Sequence, residues 1–151
     1  MEVNMKPIIM IIIALAMLLP LALLAQAHSI EGYWHNAEKT SKIQIYQTSN
    51  DTYSGKIVWL KEPNNEKGKP KVDDKNPDPK LQSRELLGLV IVQGLISKGS
   101  NKYANGTIYD PKSGNTYSSK GEVTGPNTLK LRGYIGVSLV GRTETWTRTT
   151  K

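Results

Sequence analysis

The chain has 151 residues, with 20 Lys and Arg against 13 Asp and Glu, no cysteine and no phenylalanine. That length suits one domain. The lack of cysteine excludes disulfides, cysteine-bound zinc, thiol catalysis and a lipidated cysteine. Beyond the first 27 residues Leu, Ile and Val number only 24 in 124, near the level of about 20% at which chains become too polar to fold. Three Trp and seven Tyr must therefore furnish much of the core.

The N-terminus reads as a targeting segment. Ile8 to Leu19 is unbroken apolar sequence, Pro20 interrupts it, and Ala25-Gln26-Ala27 has the small-x-small form of a signal peptidase site. A retained anchor is the alternative, since the run approaches the ~18 residues of a membrane span. The proline and the small-residue exit favour cleavage. Residues 1–27 are thus expected to be a signal peptide that sends the chain to the periplasm or the medium. Residues 28–151 would then form a single domain with no integral membrane segment.

The rest of the chain alternates strand-like runs with turns. Gly32-Tyr33-Trp34 is short. Ser41–Gln47 and Tyr53–Leu60 flank the turn Ser49-Asn50-Asp51 and predict a hairpin. Leu86–Ile96, Lys102–Tyr109, Thr116–Val123, Thr128–Ile135 and Arg142–Thr149 follow, divided by Gly-, Asn- and Pro-bearing turns. No stretch after the leader sustains a helical period. About eight successive antiparallel strands predict an all-β fold, a small closed meander barrel that leaves no sheet edge exposed.

Residues 61–84 interrupt the pattern with a long polar loop rich in Pro, Lys, Asp and Asn. Loops of that length are commonly functional or mobile. In the next strand Leu87, Leu89, Ile91 and Leu95 alternate with Gly88, Val90, Val92 and Gly94, so both faces look apolar. A barrel strand needs one apolar face, which predicts a cover from the loop or from another chain.

Residues 28–60 are neutral, 61–85 carry seven cations against six anions, and 86–151 carry nine against three. A basic half interleaved with Tyr is compatible with a single-strand nucleic-acid barrel. Export argues against nucleic acid, and a soluble basic surface explains the charge. A hydrolytic triad is disfavoured because only His28 and His35 offer a base. The same two His, seven residues apart, make a poor copper site. Asp74, Asn76, Asp78 and Glu85 fall at donor positions of a calcium-loop template, yet Pro79 stands where the sharp turn requires Gly. No metal and no cofactor is expected.

Two resemblances follow from the motifs. Gly32-Tyr33-Trp34 at one end and Thr145-Trp146-Thr147-Arg148 at the other resemble the lipocalin signature. That likeness implies that Trp34 packs beneath Arg148 and closes the barrel base. Asn76-Pro77-Asp78-Pro79, Leu87-Gly88-Leu89, Gly106–Pro111, Arg132–Gly136 and Gly141-Arg142-Thr143 are similar to exported bacterial proteins of domain-of-unknown-function family 2147. The likeness covers roughly residues 30–149 and implies fold and export, with no activity attached to it.

Strand alternation completes the candidate site. Arg142, Glu144, Trp146 and Arg148 share one face of the last strand. With Trp146 inward, Arg142 and Glu144 must pair with each other or with a polar ligand. The same alternation turns Tyr53, Ile57, Trp59 and Gln93 inward and Arg132 outward. Trp59, Gln93, Tyr109, Arg142 and Glu144 are the candidate ligand contacts, and Trp34, Trp146 and Arg148 the structural set. The expected function is non-enzymatic binding of a small, lipid-like or otherwise amphipathic ligand. The alternative is an envelope protein, polymer or second copy held by the 61–84 loop and the doubly apolar strand.

Overall fold

A computed structural model describes residues 27–151. The expected signal peptide, but for Ala27, lies outside the described residues. Eight strands follow in order: β1 Gly32–His35, β2 Ser41–Gln47, β3 Tyr53–Leu60, β4 Val90–Ser97, β5 Lys102–Asp110, β6 Asn115–Gly125, β7 Thr128–Tyr134 and β8 Gly141–Thr149. Each pairs antiparallel with the next, and β1 returns to β8, with Trp34 opposite Arg148. The meander is closed, as its turn-punctuated alternation predicts. No helix among the described residues is long and apolar enough to cross a membrane.

Period-two patterning drives closure. Ile43 and Ile45 on β2, Val123 on β6, Leu129 and Leu131 on β7 and Trp146 on β8 are buried and meet in one core. The turns that join β2 to β3, β4 to β5 and β6 to β7 lie at one end, with the entering segment at residues 28–31. The other four connections surround the opposite end. Gly133 stays in register, opposite Ser119 and Arg142. It is small because an added Cβ would come within 3.2 Å of Ile108 Cγ2.

The long polar loop expected over residues 61–84 carries ordered local structure. Asn64 bridges Pro70 and Val72 bridges Glu85, and Pro79–Leu81 forms a 3-10 turn capped by Asp78. Asp73, fully buried, holds this segment against the barrel. Its Oδ1 accepts from the Tyr109 hydroxyl at 2.5 Å, and its Oδ2 accepts from Asn76 Nδ2 at 2.8 Å and Arg84 Nε at 2.9 Å. Burial of a carboxylate is tolerable because it is paired and multiply hydrogen-bonded. Asn76 and Asp78, which fall at donor positions of the calcium-loop template, accept from Asp78 N and Lys80 N within the loop, and Asn76 Nδ2 also donates to the Tyr109 hydroxyl on β5. Among the described residues no three His, Cys, Asp or Glu gather as a metal-binding group.

The fourth strand also departs from expectation. It begins at Val90, because Leu86–Leu89 forms a turn with Gly88 at φ +89°. Register shifts against β3 pair Gly55 with Val92, Lys56 with Val90, and Tyr53 with Leu95. These bulges gather Ile91, Val92 and Leu95 into the core and leave Gln93 exposed. The buried apolar residues of the strand therefore turn inward, while Ile96 stays exposed.

Candidate ligand-binding site

The closed end is built around Trp34. Its indole is fully buried, and the Arg148 guanidinium carbon stands 4.1 Å from the ring centroid. The guanidinium fork also donates to three carbonyls: Nε to Pro126 at 2.6 Å, Nη1 to Glu31 at 2.7 Å and Nη2 to Ser29 at 2.6 Å. Burial draws the Arg148 pKa below its usual value. The entering segment is thereby strapped across the base. Trp34 Nε1 donates to Ile30 O, and Ile30 N donates to the Tyr103 hydroxyl. The partnership inferred from Gly32-Tyr33-Trp34 and Arg148 is present in full.

The opposite end opens into a cavity of about 860 Å³. Its wall is apolar, formed by Ile43, Ile57, Leu60, Leu86, Ile91, Ile108, Leu131 and Trp146. Charged groups crowd the mouth. Lys112 Nζ donates to Glu38 Oε2 at 2.6 Å, Lys71 approaches Glu62 at 3.3 Å, and Arg142 Nη2 lies 3.7 Å from Glu144 Oε1. The hydrogen bond and charge of Lys112 hold Glu38 below the usual carboxylate range, with a smaller contribution from Arg142. Glu144 Oε2 also accepts from Trp146 Nε1 at 3.2 Å. An apolar chamber under a ring of charges suits a ligand with an apolar body and a polar end.

Arg142, Glu144, Trp146 and Tyr109 all border this cavity. Tyr109 is less available than expected, because its hydroxyl is committed to Asp73 and Asn76. Burial, and then the bond to Asp73, raises its pKa. It anchors the loop at the cavity's edge. Trp59 and Gln93 do not belong to the site. Lys42 pairs with Trp59 whereas Ile43 pairs with Ile57, so Val58 is an extra residue on β3. That bulge reverses the alternation, and Trp59 lies on the outer wall edge-on to His35 with Lys42 over its ring. Gln93 is displaced outward by the bulged β4. Arg132 is outside, as alternation predicts, and bonds Ser138 O, Leu139 O and Thr143 Oγ1.

Sequence reasoning missed Leu60, which the Val58 bulge turns into the cavity, and the mouth pair Glu38–Lys112. The pair joins the β1–β2 and β5–β6 connections, 74 residues apart, so no local spacing announces it. Asp73 was equally hidden among the charges of the loop.

A closed eight-stranded meander, sealed at one end by a Trp–Arg stack and open at the other over an apolar cavity, is a lipocalin-like barrel. The chain belongs to the family described as "Uncharacterized protein conserved in bacteria (DUF2147)", whose sequence model matches residues 32–148. It is also similar to a solved structure described as "Protein HP1028 from the human pathogen Helicobacter pylori belongs to the lipocalin family". That likeness has a TM-score of 0.73 and 22% identity, and it covers 83% of this chain and 86% of that one. It establishes the fold. No curated protein matches the chain.

Proposed function

We propose that this barrel is an exported carrier of a small amphipathic ligand and not an enzyme. The cavity of about 860 Å³ carries this reading, because its apolar wall is bordered by charged residues such as Glu38, Lys112 and Arg142. The volume lies within the ~300–1,000 Å³ of small-molecule sites. The apolar body would replace water against Ile43, Ile91, Leu131 and Trp146. The polar or anionic end would meet Arg142, whose side chain is 80% exposed and only loosely engaged by Glu144 at 3.7 Å. The likeness to a lipocalin-family structure supports the same use of the fold. The signal-like leader supports export, and His35, edge-on to Trp59 at the outer wall, is not among the residues lining the cavity.

The alternative of a partner held by the 61–84 loop and a doubly apolar strand has less support. That loop is bound to its own barrel through Asp73, and Ile91, Val92 and Leu95 of β4 are buried in the barrel core.

Titration with a dansyl-labelled fatty acid tests the proposal. Saturable one-to-one binding is expected, weakened in Arg142→Ala and in Leu60→Trp, which narrows the chamber. Absence of saturable binding, or equal binding by Leu60→Trp, would refute it.

A further inference from the structure

The connection between β7 and β8 is the most apolar exposed feature among the described residues. Ile135, Val137, Leu139 and Val140 are 66%, 63%, 88% and 62% exposed, and residues 135–141 carry no charge. Isolated exposed apolar side chains are ordinary, but four in one tip mark an interaction surface.

Part of the backbone of this tip is paired within the chain itself. Ile135 N donates to Val140 O, and Val140 N donates to Val137 O. Arg132 then reaches from β7 to cap two more carbonyls, with Nε to Ser138 O at 2.7 Å and Nη2 to Leu139 O at 3.2 Å. A protein partner could satisfy such groups itself, whereas a hydrocarbon phase cannot, so internal pairing is what entry into lipid requires. Cations flank the tip. Arg142 follows it on β8, and Lys120 stands directly opposite Arg132 on β6. Positive charge beside an apolar projection matches an anionic lipid surface.

We propose that residues 135–140 insert into the interfacial layer of an anionic lipid bilayer. Ile135 and Val140 also border the cavity, so insertion sets the barrel mouth against the bilayer and gives an amphiphile a path that avoids water. The contact itself does not depend on what the cavity holds.

Flotation of the full-length mature protein with vesicles tests this, using an equal mixture of phosphatidylcholine and phosphatidylglycerol and, separately, phosphatidylcholine alone. The mixed vesicles should capture the wild type more strongly. The double variant Val137→Ser/Leu139→Ser should lower capture by about tenfold or more, since two buried apolar side chains are lost. Its circular dichroism and uptake of the dansyl fatty acid should be unchanged, because neither side chain lines the cavity. Leu60→Trp should float like the wild type. No capture of the wild type, equal capture of the double variant, or loss of capture by Leu60→Trp would each overturn the proposal. So would a concentration-dependent dimer that the double variant abolishes, which would make a second copy the occupant. Retained flotation with no fatty-acid uptake would defeat the carrier reading alone.

Discussion

Arg148 lies over the face of Trp34, 4.1 Å from the ring centroid, while its fork ties three carbonyls from two separate segments. The contact links the first strand to the last, so it fastens the barrel at its closing seam. Trp34→Ala should destabilise by about 3–5 kcal/mol, because a fully buried indole leaves a cavity. Arg148→Ala should cost about 2 kcal/mol or more, from the desolvated cation–π contact and the stranded carbonyls. Arg148→Lys keeps the charge but lacks the fork and should fall between. Urea unfolding of the three variants checks the ranking, and equal, negligible losses would contradict it.

Gly32 is bound to the same arrangement. Its φ is +125°, and an added Cβ would stand 2.8 Å from Arg148 Nη1. Gly32→Ala should therefore cost about 1–3 kcal/mol through backbone strain, and it should also displace the guanidinium. Combined with Arg148→Ala, its penalty should shrink, which a double-mutant cycle in urea measures directly.

Asp73 and Tyr109 fasten the long loop. Tyr109→Phe removes a bond to an ionised acceptor and should cost about 1.5–3 kcal/mol in local stability, seen as faster hydrogen exchange over residues 61–89. The pKa of Tyr109 is raised in the fold by burial and by Asp73. Its stabilising contribution is therefore complete below the unfolded value near ~10 and is lost as pH rises through the higher folded value. Loop protection in the wild type should fall with alkali, and Tyr109→Phe should respond less. Tyr103, also raised by burial, leaves both proteins a shared alkaline loss at the base.

At the mouth, Glu144 lies 3.7 Å from Arg142, and on the carrier reading it would compete with a ligand for that side chain. Glu144→Gln should tighten binding of an anionic amphiphile by a few-fold and Arg142→Ala should weaken it, both with unchanged melting temperature. Added salt should shrink the difference, because the Arg142 side chain faces water. Titrations of the dansyl fatty acid at two ionic strengths provide the check.

The strand order and the closure were legible because alternation and turn residues agree along nearly the whole chain. Trp34 and Arg148 were legible because a short motif marks each end. The misplaced strand residues share one physical origin, an irregularity in the strand register. A single extra residue at Val58 reverses a face, so strict alternation puts Trp59 inside and hides Leu60. Gly94, at φ +69° within β4, was the available sign that Gln93 would leave the core. Asp73, by contrast, is one carboxylate in a loop of alternating charges, and its value comes from a contact 36 residues away.

Native mass spectrometry tests the carrier reading most directly, on protein purified without denaturants from cells that make it naturally. A small added mass should be released on collisional activation and identified as an amphiphile. It should be reduced in both Leu60→Trp and Arg142→Ala. A bare wild-type mass that also fails to take up the dansyl fatty acid, or an adduct equally retained by Leu60→Trp, would contradict the cavity's assigned role.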